Sequence, residues 1–136
     1  MSDNLANLAK IGKLKAEEFS EAEFKGLVAS ASNRLSDARN DGLSPESRFD
    51  LAYNASHAFA LAALRRKGYR SENRTIVFQV LEYTVGMPAA KWRVLSKCHD
   101  ARNLAEYEGQ SDIDPKLLDE LIEIAGELEA LVLKSR

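Results

Sequence analysis

Apolar residues recur at intervals of three and four along most of the chain, which is the spacing of an amphipathic helix. The clearest example follows Ser20, where Glu23 stands three residues later and completes a capping box. Ser44-Pro45 and Asp114-Pro115 have the composition of further helix starts. The pattern predicts helices over residues 5–11, 21–39, 45–67 and 73–84, a continuation of the fourth helix over 89–107 after a break, and a last helix from residue 115 to near the C-terminus.

The last of these helices carries the most regular apolar stripe. Its members follow one another in steps of four and three: Leu117, Leu121, Ile124, Leu128 and Leu131. Such a stripe is typical of a helix that faces either its own core or a partner. One hypothesis is therefore a non-catalytic helical module, in which this stripe and the alanine-rich helix after Ser44 build a homodimer or heterodimer.

No segment alternates apolar and polar residues for long enough to indicate a strand, so we expect no sheet. The loops between the predicted helices are short, which favours an up-and-down antiparallel arrangement. We predict an all-α bundle of about five helices. Residues 1–136 form one domain in this interpretation, with the core over about 20–133 and a short N-terminal helix or arm over 1–19.

Composition narrows the class of protein. The chain has 136 residues, 45% of them hydrophobic and 29% charged, which is typical of a globular domain. We find no apolar run long enough for a membrane span and no secretion signal at the start. One cysteine, Cys98, cannot form an internal disulfide, so we expect a cytoplasmic protein. A net charge of −2 neither requires nor excludes nucleic acid, because a local patch can be basic.

The most unusual polar residues lie in the predicted helix over 89–107. His99 and Arg102 are three residues apart and share a face, and Asn103 and Tyr107 follow on the same helix. A structural interpretation is a surface helix with an ion pair between Arg102 and Glu106. A functional one is a polar site, because arginine suits phosphate and histidine moves protons near neutral pH.

Three stretches of the chain resemble one family. Residues 44–70, SPESRFDLAYNASHAFALAALRRKGYR, are similar to its alanine-rich second conserved helix and the Gly-Tyr-Arg after it. Residues 73–81 are similar to the next family helix, and Arg102-Asn103-x-x-x-Tyr107 resembles its signature of Arg, a polar residue and a later His. The chain thus resembles HEPN domains, small helical domains of prokaryotic toxin–antitoxin and nucleic-acid-defence systems.

The resemblance implies a homodimer whose shared cleft binds RNA and cleaves it without a metal ion. It also implies a minimal nucleotidyltransferase (MNT-type) protein as partner. Arg102, Asn103 and Tyr107 are the catalytic positions by this likeness, but Tyr107 stands where the family has histidine. A phenol with a pKa near 10 is a poor general base at neutral pH. We therefore expect weak or lost cleavage, unless His99 supplies the missing imidazole.

Basic residues cluster after the alanine-rich helix: Arg65, Arg66, Lys67, Arg70 and Arg74. They either cap and solvate a helix end or contact phosphate or an acidic partner. Arg70 and Arg74, with Lys97, are our candidates for nucleic-acid binding. We expect no metal and no cofactor, because the sequence has no zinc spacing, no Glu-x-x-His pair and no phosphate-binding glycine loop.

Overall fold

A computed structural model describes the backbone of residues 2–108 and 113–135 and the side chains of residues 4–104 and 113–135. The prediction of an all-α bundle is confirmed. Within the described residues the chain forms seven helices: α1 (Ser2–Lys10), α2 (Glu21–Ala38), α3 (Pro45–Arg66), α4 (Arg74–Gln79), α5 (Leu81–Thr84), α6 (Ala89–Glu108) and α7 (Pro115–Lys134).

Local side chains start the long helices where the sequence predicts. The Ser20 hydroxyl accepts a hydrogen bond from the Glu23 backbone N–H at 3.2 Å. Ser44 accepts one from Ser47, and Asp114 accepts one from Lys116. Each side chain satisfies a backbone N–H that has no partner inside its helix.

The predicted helix over residues 73–84 is divided into α4 and α5. Val80 ends the first piece and precedes the second, and the Tyr83 N–H bonds to its carbonyl at 2.9 Å. The residues on both sides of this break, Phe78 and Leu81, are fully buried. Both short helices therefore place apolar side chains in the core.

The expectation of no sheet was wrong at one place. Two-residue strands β1 (Lys15–Ala16) and β2 (Tyr69–Arg70) pair antiparallel, with Lys15 opposite Arg70. Gly68, with φ of +88°, turns the chain out of α3 into β2. A pair of strands this short leaves no alternating pattern to detect.

The core centres on α3, which packs against α2 on one side and α7 on another. Alanines dominate its buried face, so neighbouring helices approach closely. Leu5 and Leu14 are also buried, so the core extends into the segment that the sequence suggested as an arm. Within the described residues, no helix combines the length and apolar character needed to cross a lipid bilayer.

The apolar stripe of α7 is used inside the molecule. Four of its five members, Leu117, Leu121, Ile124 and Leu128, are buried together with Leu118, Ala125 and Val132, whereas Leu131 is partly buried. Leu121 and Leu128 have no exposed surface at all. Of the two orientations that the sequence allows, the structure therefore shows the core-facing one.

Candidate functional site

The predicted site residues of α6 lie against a buried tyrosine of α3. The Tyr53 ring has no exposed surface, and its hydroxyl oxygen is 2.6 Å from Nδ1 of His99. The two rings are nearly parallel, with centroids 6.0 Å apart. A buried hydroxyl is costly unless it is hydrogen-bonded, so His99 stabilises Tyr53 in this position.

Asn103 contacts the other side of the same imidazole. Its side-chain nitrogen lies 3.3 Å from Nε2 of His99. With Asn103 donating to Nε2, a neutral His99 carries its hydrogen on Nδ1 and donates it to the Tyr53 oxygen. Asn103 and Tyr53 together hold the imidazole from both of its ring nitrogens.

Two arginines from different helices converge on the Tyr53 ring. The guanidinium carbon of Arg102 lies 5.2 Å from the ring centroid, and that of Arg74 lies 5.5 Å from it. Both distances are within the range of a cation–π contact. Tyr53, Arg74, His99, Arg102 and Asn103 are called the arginine–tyrosine site below.

Neighbours on α3 fix the direction of each guanidinium. Nε of Arg102 donates to Asp50 at 3.2 Å, and a terminal nitrogen of Arg74 donates to Asn54 at 3.4 Å. Both arginines are therefore held at defined positions before any ligand binds. Two positioned cations beside an imidazole and an amide suit a phosphate group, which would compete with the Asp50 carboxylate for Arg102.

His57, one turn after Tyr53 on α3, stays neutral in this environment. Burial, the charge of Arg74 and His99 together lower its pKa to about 4. Its ring meets the edge of Phe78 at 6.1 Å. A neutral imidazole here avoids a further positive charge next to Arg74.

Arg70 lies outside the arginine–tyrosine site. Its guanidinium donates to Glu17 at 2.8 Å and to Glu23, and these bonds raise the pKa of Arg70. Phosphate binding by Arg70 would require it to break both ion pairs. Arg74 and Lys97 were the other two predicted nucleic-acid contacts. Arg74 belongs to the site, whereas Lys97 is exposed on α6.

Arg65 has neither of the roles considered from the sequence. Only 1% of its surface is exposed, and Nε donates to Glu23 at 2.6 Å. Its terminal nitrogens donate to the backbone carbonyls of Glu17 and Glu18. The residue thus fixes the segment before α2 to the end of α3, instead of capping a helix or facing solvent.

Tyr107 belongs to the backbone range of α6, but its side chain lies outside the described residues, as does that of Glu106.

Sequence reasoning missed Tyr53 and Asp50. Tyr53 lies 46 positions before its partner His99, and Asp50 lies 52 positions before its partner Arg102. The only local signal is that Tyr53 is a polar-tipped ring on the alanine-rich face of α3.

The described residues give little support to metal-dependent or cysteine-based chemistry. No group of three or more His, Cys, Asp or Glu residues among them is arranged to hold a metal ion. Cys98 is buried, and desolvation together with Glu120 raises the pKa of its thiol to about 12. That thiol remains protonated at neutral pH and is a poor nucleophile.

Comparison with known proteins finds no family model and no curated protein that matches this chain. The likeness to HEPN domains therefore rests on the sequence stretches given above.

Proposed function

We propose that the chain is a HEPN-like helical protein that binds RNA or a nucleotide at the arginine–tyrosine site. The observation that carries the proposal is the convergence of Arg74 and Arg102 on one buried ring, beside His99 and Asn103. Two oriented guanidinium groups match the charge and geometry of phosphate.

Cleavage at this site is weak or lost under this proposal, because a tyrosine replaces the family histidine at position 107. His99 is the only described imidazole that contacts both a tyrosine hydroxyl and an amide in the site. Any metal-independent cleavage would therefore use His99 to move the proton of the attacking ribose hydroxyl. Asn103 would have to leave Nε2 for that step.

The proposal includes a cytoplasmic homodimer and an MNT-type nucleotidyltransferase protein as partner. In a dimer, two copies of Arg102 would face one RNA and double the local positive charge. Sedimentation of the purified chain at micromolar concentration tests this part. A strictly monomeric chain would remove the shared cleft and leave a single binding site on each molecule.

RNA binding and cleavage should be measured together in EDTA, with enzyme in excess over labelled RNA. We expect Arg102→Ala to weaken binding and to lower its dependence on salt by about one counterion contact. Arg34→Ala is the matched control, since Arg34 is exposed on α2. Unchanged affinity and salt dependence in a folded Arg102→Ala protein would reject the phosphate site.

The cleavage readout separates two versions of the proposal. Cleavage by the wild type that disappears in His99→Gln assigns proton transfer to His99. No cleavage by either protein, with binding intact, identifies the chain as a binding or regulatory relative of the nucleases.

A further inference from the structure

A cavity of about 530 Å³ lies next to the only tryptophan of the chain. Trp92 and Tyr83 provide its aromatic walls, and Ile76 and Leu8 add apolar surface. The Trp92 indole N–H donates to Glu82 at 3.3 Å, which fixes the orientation of the ring. The volume is in the range of ligand-binding cavities in proteins.

Amide side chains surround this aromatic surface. Asn4 and Asn7 of α1 and Gln79 of α4 all line the cavity. An amide offers both a donor and an acceptor, which is the pattern found on the edges of nucleobases. The cavity therefore combines a stacking surface with groups that can hydrogen-bond a planar heterocycle.

The cavity and the arginine–tyrosine site lie along the same pair of helices. Trp92, His99 and Asn103 fall on one face of α6, because they are separated by seven and four residues. Ten residues of helix place Trp92 about 15 Å along the axis from Arg102. Along α4, Arg74 contacts Tyr53, while Gln79 lines the cavity about 7 Å further on.

Two cations lie beside the cavity on α6, on the side of the helix that faces away from Arg102. Arg93 and Lys97 are exposed on α6, one turn apart, and the Arg93 guanidinium lies 5.5 Å from the Trp92 ring. The chain as a whole carries a net charge of −2, so this strip differs from its average surface. A strip of cations beside an aromatic ring is the arrangement with which proteins hold single-stranded nucleic acid.

We propose that the ligand of the arginine–tyrosine site is single-stranded RNA that places an unpaired base in the Trp92 cavity. The inference rests on the proposed function and names its substrate class. Phosphates would contact Arg102 and Arg74, and a base a few nucleotides away would stack on Trp92. A duplex would not fit this description, because its bases remain stacked and paired.

Trp92 reports directly on this contact, because its fluorescence is the only tryptophan signal of the wild-type protein. The probe is a short oligoadenylate RNA, and inorganic polyphosphate of similar charge is the control polyanion. We expect quenching by the RNA and little change with polyphosphate, which has no base to stack. Equal effects of both polyanions, or no effect of bound RNA, would overturn the inference.

Affinity measurements on variants give a second readout. Trp92→Leu should weaken RNA binding roughly 5- to 100-fold, the effect of losing one stacked base, and leave the salt dependence unchanged. Trp92 is half-buried, so Gln79→Glu, at an exposed position on the cavity rim, provides a variant that keeps the core intact. It should also weaken RNA binding, because it adds a second carboxylate to that of Glu82 next to the base.

The two proposals fail in different ways. If Arg102→Ala weakens RNA binding while Trp92→Leu and Gln79→Glu bind like wild type, the phosphate site stands and the cavity is rejected. If Arg102→Ala binds RNA as tightly as Arg34→Ala does, the proposed function fails and this inference fails with it.

Discussion

Tyr53 supports the arginine–tyrosine site in two separable ways. Its ring is the platform for Arg74 and Arg102, and its hydroxyl contacts His99. Tyr53→Phe keeps the ring and removes only the hydroxyl. We expect RNA affinity within about twofold of wild type, a loss of about 1 kcal/mol in the free energy of unfolding, and lower cleavage where wild type cleaves.

Urea unfolding and RNA titration of the same Tyr53→Phe sample test this separation. A large fall in RNA affinity without loss of stability would contradict it, since the hydroxyl would then contact the ligand directly. Tyr69→Phe is the control, because Tyr69 is a half-buried tyrosine outside both the arginine–tyrosine site and the Trp92 cavity.

His57 predicts a pH dependence of stability. The folded protein holds its pKa at about 4, below the ordinary value of 6.5, so the unfolded chain takes up the proton first as pH falls. Stability from the neutral imidazole is complete above about pH 6.5 and is lost progressively towards pH 4. Between about pH 7 and pH 5, His57 should account for about 2 kcal/mol of lost unfolding free energy.

The comparison variant is His57→Phe, which keeps a ring beside Phe78 but cannot bind a proton. Urea denaturation at the two pH values gives the difference for each protein. Carboxylates contribute equally to both, so the wild type should lose more stability than the variant. Equal losses would show that the pKa of His57 is not lowered in the folded state.

At the scale of elements, the parts that the sequence predicted are those set by local chemistry. Ser20, Ser44 and Asp114 cap their helices through bonds to residues two or three positions away. The break at Val80 and the β1–β2 pair depend on packing and pairing with distant segments. The same division between local and distant contacts applies to the site. His99 and Arg102 could be identified from their spacing on one helix, whereas the role of Tyr53 depends on the packing of α3 against α6.

The segment between β1 and α2 depends on Arg65. Removing this buried guanidinium leaves the Glu17 and Glu18 carbonyls without their donor and takes one partner from Glu23. We expect Arg65→Ala to lower the free energy of unfolding by about 3 kcal/mol or more. Faster hydrogen exchange should appear at β1 and at the following residues up to Ser20.

Arg66→Ala is the matched control for that variant. Arg66 stacks on Phe19 and Phe24, but 30% of its side chain is exposed, so its loss should cost less than about 1 kcal/mol. Acid should remove part of what Arg65→Ala removes, namely the ion pair with Glu23 but not the bonds to the Glu17 and Glu18 carbonyls. The Arg65 bond lowers the pKa of Glu23, so stability from this pair is present above the ordinary carboxyl pKa and is lost as pH falls below it.

For the whole molecule, the orientation of α7 decides what a mutation in its stripe can report. The sequence allowed Leu121→Asp to be a test of an oligomer, but Leu121 has no exposed surface and lies in the core. A buried carboxylate there should cost about 5 kcal/mol or more, which is close to the whole stability of a small domain. We therefore expect Leu121→Asp to lose helical circular dichroism.

Leu133→Asp, at a position 41% exposed on the same helix, should remain folded. A folded Leu121→Asp monomer would contradict the core position of the stripe, whereas a Leu133→Asp chain that becomes monomeric while wild type is dimeric would place the interface on the outer face of α7.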